Sequence, residues 1–243
     1  MVHHLQILSE NGDSLSEEYP DLKDFCTQEP FALVRTDSRI ELRQLDGDRA
    51  CLYVDFLSGP LGYRRLHGGG AGQAVVKAVC SRSRSMPQVI DATAGMGRDA
   101  FVLATQGCHV LMFERNPVVR ILLADGLERA YTDPEIGSML REHLVLSPLR
   151  SIMELTEEKC CDAVYLDPMF PARKSSALVK KDMRIFHQIV GSDEDSHQLL
   201  QQALRLAKCR VAVKRPKGAP FLGGISTANC VETKSHRFDL YHP

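Results

Sequence analysis

The sequence has no excess of positive charge and no paired-cysteine motif. Its 30 Lys and Arg residues are balanced by 31 Asp and Glu residues, so the formal net charge at pH 7 is −1. Any affinity for a polyanion must therefore come from local basic clusters and not from the field of the whole protein. None of the eight cysteines belongs to a Cys-x-x-Cys pair, which argues against a zinc site. We therefore predict no metal ion.

The sequence also has no apolar run of membrane-spanning length and no N-terminal stretch with the pattern of a signal peptide. Several cysteines fall within apolar runs, where a free thiol behaves as a small hydrophobe. These features predict a soluble protein of the reducing cytoplasm. With 243 residues, 44% of them apolar, the chain is long enough for one large α/β domain and an appendage.

The N-terminal part of the chain differs in pattern from the rest. Residues 31–35, 40–45 and 51–56 are short β-type runs, and Asp46-Gly47 between the last two is a strong hairpin signal. We therefore predict a small β-rich subdomain over residues 1–66.

Strand and helix patterns alternate in residues 67–243, which we predict to form the main domain. The predicted strands are 88–92, 110–114, 143–147, 163–167 and 209–214, followed by a terminal pair around 228–241. Predicted helices cover about 73–80, 98–106 and 117–131, and another, capped by Ser192 or Asp193, runs to residue 207. This alternation predicts an α/β fold with a doubly wound, mostly parallel sheet.

A glycine-containing loop follows the first of these strands. Asp91 ends the strand, Gly95 and Gly97 turn the chain, and a helix pattern begins at Arg98. Such a strand, turn and helix bring backbone N–H groups close to a nucleotide-like ligand. Glu114 ends the next strand 19 residues after Gly95, a spacing at which an acid meets a ribose hydroxyl pair.

Two ligands fit this loop. Gly95-x-Gly97-x-x-Ala100 matches the dinucleotide fingerprint, so NAD and an oxidoreductase are one interpretation. However, Asp91 and Asp99 lie where the pyrophosphate would bind, and carboxylates repel it. S-adenosylmethionine has no phosphate and carries an ammonium and a sulfonium, which acids attract. The acidic loop therefore favours S-adenosylmethionine.

A second motif, Asp167-Pro168-Met169-Phe170-Pro171, follows the apolar run 163–166. The Asp167 carboxylate and the Pro168 carbonyl can accept hydrogen bonds from the amine of a flat base. The ring of Phe170 can stack on that base. This motif therefore indicates a site for an exocyclic amine.

Together the two motifs resemble the class I methyltransferases whose Asp-Pro-Pro-Tyr/Phe-type motif methylates exocyclic amines. The chain is more closely similar to the ribosomal RNA small subunit methyltransferase J family. The similarity covers roughly residues 30–243, and its main segments are 91–104, 114–119, 165–171, 176–181 and 213–216, with shorter ones at 55–56, 64–65, 68–70 and 236–239. It implies a Rossmann-like fold, S-adenosylmethionine as cofactor and N2-methylation of a guanosine in small-subunit (16S) ribosomal RNA.

Each motif supplies candidate site residues. Asp167, Pro168 and Phe170 are the candidate catalytic residues. On the cofactor side, Arg98 and Asp99 could hold the methionine carboxylate and ammonium, and Glu114 the ribose. The resemblance adds Arg115, Arg150 and Ser151, so the candidate cofactor set is Asp91, Gly95, Gly97, Arg98, Asp99, Glu114, Arg115, Arg150, Ser151 and Asp167.

Basic residues near these motifs are candidates for phosphate contacts that position RNA without reading its sequence. They are Arg64, Arg65, Arg173, Lys174, Lys214 and Arg215. The expected partner is thus small-subunit RNA or the assembled small subunit. Three other interpretations stay open: an adenine-N6 methyltransferase, a NAD-dependent oxidoreductase and a non-catalytic RNA-binding module.

Overall fold

The main sheet has seven strands and is parallel at its centre. The structure, a computed structural model, describes residues 2–47, 50–59, 72–80, 87–169, 181–190 and 196–243. The strand order is β12-β13-β11-β10-β7-β8-β9. Its members are β7 (Gln88–Asp91), β8 (His109–Met112), β9 (Leu144–Leu146), β10 (Cys161–Leu166), β11 (Ala207–Pro216), β12 (Cys230–Glu232) and β13 (His236–Tyr241). The strands from β9 to β11 pair in parallel, and β13 and β12 add antiparallel edges. The doubly wound, mostly parallel sheet is therefore confirmed.

Six α-helices lie wholly within the described residues. They are α1 (Ala74–Val79), α2 (Arg98–Thr105), α3 (Pro117–Tyr131), α4 (Gly137–His143), α5 (Lys181–Val190) and α6 (Ser196–Leu206). The side chain of Asn116 accepts the N–H groups of Val118 and Val119, and Pro117 occupies the first turn of α3, so this helix begins where the sequence predicts. Helices α4 and α5 were not predicted. The predicted caps Ser192 and Asp193 lie outside the described residues.

Two smaller sheets precede the main one. Strands β1 (His3–His4) and β3 (Cys26–Thr27) form an antiparallel pair. Strands β2 (Gln6–Ser9), β4 (Phe31–Arg35), β5 (Ile40–Gln44) and β6 (Cys51–Leu52) form a four-stranded sheet in that order. Strands β5 and β6 pair antiparallel across Asp46-Gly47, so the predicted hairpin is confirmed.

The N-terminal sheets and the main sheet share one hydrophobic core. Buried Phe31 and Leu42 belong to the same cluster as buried Leu122 of α3. The rings of Phe56 and Phe101 stack with centroids 5.3 Å apart, which joins the N-terminal part to α2. The boundary between residues 66 and 67 stays a prediction, since it lies outside the described residues.

The topology places the functional motifs at one edge of the sheet. Because β7, β8, β10 and β11 are parallel, the residues at their carboxyl ends lie side by side. The chain reverses its winding direction between β7 and β10, and ligands of open α/β sheets bind outside the strand ends at such a point. None of the described helices is both long and apolar enough to span a bilayer.

Candidate active site

A cavity of about 770 Å³ opens at the carboxyl ends of the central strands. Its volume lies within the range of sites for small molecules and cofactors. Its lining comes from the glycine loop, the segments after β8, β9 and β10, helix α5 and strands β11 and β13. Of the sequence-predicted residues, it includes Asp91, Gly95, Arg98, Asp99, Glu114, Arg115, Arg150, Ser151, Asp167, Pro168 and Lys214.

The two glycines of the loop have different surroundings. Both have positive φ, 53° at Gly95 and 69° at Gly97, which glycine adopts without strain. Gly95 lines the cavity. Gly97 is buried, and a Cβ there would lie 2.9 Å from atoms of both Phe56 and Leu123. Gly97 itself does not line the cavity, so its approach to the cofactor stays a prediction; the structure shows that a glycine here allows α2 to pack against the core.

Glu114 organises the glycine loop. Its carboxylate accepts the N–H of Gly95 at 2.8 Å and the N–H of Asn116 at 2.7 Å, one on each oxygen. The side chain lines the cavity although the residue is only 6% exposed. A carboxylate oxygen can accept more than one hydrogen bond, so these two bonds do not prevent Glu114 from accepting the hydroxyl pair of a ribose.

Asp91 adds a second buried acid. It is 1% exposed, and its Oδ1 accepts the N–H of Thr93 at 3.1 Å. Burial raises the pKa of Asp91 well above its ordinary value, and the neighbouring acids Asp99, Asp167 and Glu114 raise it further. This end of the sheet thus concentrates four carboxyl groups.

The candidate cationic and polar residues on the cofactor side differ in what they contact. Arg98 and Arg115 are exposed and line the cavity. The Arg150 guanidinium forms an ion pair with Asp21 of the N-terminal part. Ser151 Oγ accepts the N–H of Met153 at 3.2 Å and caps a short 3₁₀ helix. The side chains of Arg150 and Ser151 are therefore already engaged, and both of their N–H groups donate to Glu154 Oε1 at 2.8 Å.

Asp167 stands at the acceptor end of the cavity. Its N–H donates to Thr93 Oγ1 at 2.6 Å, which ties the acceptor segment to the glycine loop. Pro168 and Met169 continue the lining, whereas Phe170 lies outside the described residues. Burial raises the pKa of Asp167, and Lys214 opposes that rise. The glycine loop and the Asp167 segment therefore lie side by side, as the sequence predicts.

Lys214 joins the two motifs directly. Its Nζ lies 2.8 Å from Asp99 Oδ2 and 2.9 Å from Asp167 Oδ2. The same oxygen of Asp99 accepts the hydroxyl of buried Tyr165 at 2.7 Å. Burial would lower the pKa of Lys214, but Asp167 and Asp99 raise it above its ordinary value. Lys214 is therefore a charged member of the cavity.

This arrangement corrects the predicted phosphate contacts of Lys214 and Arg215. Lys214 is engaged by two carboxylates. Arg215 is 4% exposed, and its guanidinium donates to the carbonyl of Pro220 at 2.9 and 3.1 Å. A side chain enclosed in this way cannot reach an RNA backbone. The other candidate phosphate contacts, Arg64, Arg65, Arg173 and Lys174, lie outside the described residues.

Helix α5 supplies a wall of the cavity that the sequence analysis missed. The lining residues are Met183, Phe186, His187 and Val190. Their spacing of i, i+3, i+4 and i+7 is the signature of one helix face, so the signal was present in the sequence. The N-terminus of α3 holds this helix, because Asn116 Nδ2 donates to the carbonyl of Ile189 at 2.9 Å.

One group of possible metal ligands lies away from this cavity in the described part of the chain. Ligand atoms of His109, Glu142 and His143 are within 4.8 Å of one another. The two imidazoles are stacked, with centroids 4.2 Å apart and planes only 18° from parallel. Their in-plane lone pairs therefore run alongside each other and do not converge on one point. We assign no metal to this group.

The cavity suits S-adenosylmethionine in shape and chemistry. Carboxyl groups of Asp91, Asp99 and Glu114 line its donor end, where a cationic ligand with a ribose finds its partners. Phe186 and Val190 offer apolar surface for a base. A bound pyrophosphate would instead face the acids.

Comparisons with known proteins agree with this geometry. The family model SAM_MT, which describes SAM-dependent methyltransferases, matches residues 18–243. The crystal structure of a SAM-dependent methyltransferase from Neisseria gonorrhoeae superimposes with a TM-score of 0.71 and 33% identity, covering 98% of this chain and 95% of that chain. The fold and the site therefore define a class I methyltransferase that uses S-adenosylmethionine.

Curated relatives narrow the class. Ribosomal RNA small subunit methyltransferase J of Erwinia tasmaniensis is 56% identical over 218 residues, covering 88% of this chain and 86% of that protein. The protein of the same name from Yersinia enterocolitica is 53% identical over 241 residues, covering 98% and 92%. The chain belongs to the ribosomal RNA small subunit methyltransferase J family.

Proposed function

We propose that the protein transfers a methyl group from S-adenosylmethionine to the exocyclic N2 of a guanosine in 16S ribosomal RNA. The observation that carries this proposal is the position of Asp167. Its Oδ2 is held by Lys214, while Oδ1 accepts no hydrogen bond from the described residues. A carboxylate oxygen that no described residue binds, beside a cofactor-sized cavity, is a partner for an amine.

The donor side is proposed to hold the cofactor through its polar groups. Glu114 binds the ribose hydroxyls, Asp99 the ammonium of the methionine part and Arg98 its carboxylate. Arg115, together with Arg150 and Ser151, completes the cofactor site. When bound, S-adenosylmethionine supplies the methyl group: the lone pair of N2 forms the new N–C bond, and the electrons of the broken C–S bond return to sulfur.

The protein contributes orientation and a place for one proton. Asp167 and the carbonyl of Pro168 hold the amine, and Phe170 stacks on the base. The alkylated nitrogen carries a positive charge and is strongly acidic, so it gives one proton to the Asp167 carboxylate, which passes it to solvent. Placement of this kind accounts for much of the acceleration of a bimolecular transfer.

The RNA is proposed to be held by basic residues that the sequence places near the motifs. We propose Arg64, Arg65, Arg173 and Lys174 for phosphate contacts, since each adjoins a segment shared with the family. The partner is 16S RNA or the assembled small subunit, and we place the protein in the cytoplasm with that substrate.

The test is nucleoside analysis after incubation with isotopically labelled S-adenosylmethionine. Naked 16S RNA and the assembled small subunit, each from cells lacking the gene, serve as substrates in parallel. We expect label in N2-methylguanosine from at least one of them. Label in N6-methyladenosine would show that the protein is an adenine-N6 methyltransferase. Tight binding of NAD, with no label in the RNA, would favour the NAD-dependent oxidoreductase.

A further inference from the structure

We propose that Lys214 is a positioning residue of the methyltransferase: its ammonium keeps the Asp167 carboxylate ionised and turned so that the other oxygen faces the acceptor amine. The inference rests on the proposed function and goes beyond it, because it makes the ionisation and the orientation of Asp167 depend on a lysine of a different strand.

The geometry fixes Asp167 from two sides. Its backbone N–H is held by Thr93 Oγ1 at 2.6 Å, and its Oδ2 is held by Lys214 at 2.9 Å. Lys214 is itself fixed, since it also binds Asp99 at 2.8 Å and only 25% of its side chain is exposed. Asp99 is in turn held by Tyr165. This chain of contacts fixes the position of Oδ2, while Oδ1 accepts no hydrogen bond from the described residues.

The charges around Asp167 make the ammonium necessary. Burial favours the neutral form of Asp167, and the neighbouring carboxylate of Asp99 raises its pKa further. His236 does not replace Lys214, because burial lowers the pKa of His236 and favours its neutral form. Arg215 is bound to the carbonyl of Pro220. Among the described residues, Lys214 is therefore the cation in contact with the acceptor carboxylate.

The protonation state of Asp167 decides whether the amine can react. An ionised carboxylate accepts a hydrogen bond from the amine and then its proton after methyl transfer. A protonated carboxyl cannot take that proton, and its O–H donates where the ionised group would accept. Turnover should therefore fall as the pH drops through the pKa of Asp167, and any change that raises this pKa moves the loss of turnover to higher pH.

The experiment compares Lys214→Met, Lys214→Arg and Lys217→Met with the wild type. Met keeps the length of the side chain without its charge, and Arg keeps the charge. Lys217 follows the same strand, is well exposed and pairs only loosely with Glu232 at 3.6 Å, so Lys217→Met controls for loss of one positive charge near the cavity. The measurements are the pH profile of the turnover number on 16S RNA or small subunits, the affinity for S-adenosylmethionine, and the salt dependence of RNA binding.

We expect Lys214→Met to move the acidic limb of the profile to higher pH by about one to three units, the range for an opposite charge at contact distance. Lys214→Arg should leave the acidic limb of the pH profile at its wild-type position, because the positive charge is kept. Its turnover number should be lower, because the planar guanidinium does not reproduce the contacts of a compact ammonium. Lys217→Met should keep both the limb and the turnover number. RNA binding of Lys214→Met should keep its salt dependence.

An unchanged acidic limb in Lys214→Met overturns the inference. So does a fall of about one unit in the salt slope with normal turnover, which would make Lys214 a phosphate contact. If the wild type methylates no small-subunit RNA, the proposed function fails first. In that case the pKa of Asp167 is measured by nuclear magnetic resonance titration in the wild type, in Lys214→Arg and in Lys214→Met. This comparison still tests whether Lys214 controls the ionisation of Asp167. Lys214→Gln replaces Lys214→Met if the latter does not fold.

Discussion

Replacing Gly97 by Ala should destabilise the protein and spare cofactor binding. Gly97 has a φ of 69°, and the added Cβ would lie 2.9 Å from Phe56 Cζ and 2.9 Å from Leu123 Cδ1. Left-handed backbone costs an L-residue about 1–2 kcal/mol, and overpacking a filled core costs about 1–3 kcal/mol more. We therefore expect a loss of about 2–5 kcal/mol in the free energy of unfolding, which in a chain of this size lowers the Tm by about 4–20 °C.

Gly224→Ala is the matched control for this variant. Gly224 has a φ of 71°, close to that of Gly97, and a Cβ there would meet nothing within 4 Å. It therefore measures the backbone cost alone, about 1–2 kcal/mol. The difference between the two variants isolates the clash with Phe56 and Leu123.

Two measurements decide the outcome: thermal unfolding of both variants, and calorimetric titration with S-adenosylmethionine at a temperature where both are folded. The expected result is a lower Tm for Gly97→Ala than for Gly224→Ala, with unchanged cofactor affinity. If Gly97→Ala were as stable as Gly224→Ala and failed to bind S-adenosylmethionine, Gly97 would face the cofactor and the packing argument would be refuted.

Three other substitutions separate the roles of the charged residues. Glu114→Ala should mainly raise the KM for S-adenosylmethionine and also lower the Tm, because the N–H groups of Gly95 and Asn116 lose their acceptor; normal KM would remove Glu114 from the ribose site. Asp167→Ala should lower the turnover number roughly a hundredfold or more while calorimetry shows retained cofactor affinity; near-normal turnover on RNA would contradict its assignment. Arg215→Ala should lower the Tm and leave the salt dependence of RNA binding unchanged, and a flatter dependence would restore the phosphate contact.

The sequence predicts the central strands well because their chemistry is local. The predicted strands 88–92 and 163–167 contain apolar runs followed by an acid, Asp91 and Asp167, and the structure has strands at Gln88–Asp91 and Cys161–Leu166. Parallel strands buried on both faces need such continuous runs. Helix α3 is predicted to the residue because Asn116 and Pro117 specify its first turn.

The neighbours of Gly97 and Lys214 could not be predicted in the same way. Gly97 fits a fingerprint in which glycine faces the ligand, but the contact that requires a glycine here comes from Phe56, 41 residues earlier, and from Leu123. Lys214 meets Asp99 across 115 residues and Asp167 across 47. A basic residue at the end of a strand gives no local sign of whether it turns toward solvent or into a cavity.

The position of Lys214 also changes the electrostatic reason for preferring S-adenosylmethionine to NAD. The sequence argument counted Asp91 and Asp99 as repelling a pyrophosphate, whereas in the structure Lys214 pairs with Asp99. The site still prefers S-adenosylmethionine to NAD, because the Lys214 ammonium is shared with Asp167. The remaining acids, Asp91 and Glu114, form no ion pair with Lys214. A pyrophosphate would have to compete with two carboxylates for one cation, while the ammonium of S-adenosylmethionine would add a second cation to the same pair. The donor site therefore selects its ligand through the balance of charges across the motifs.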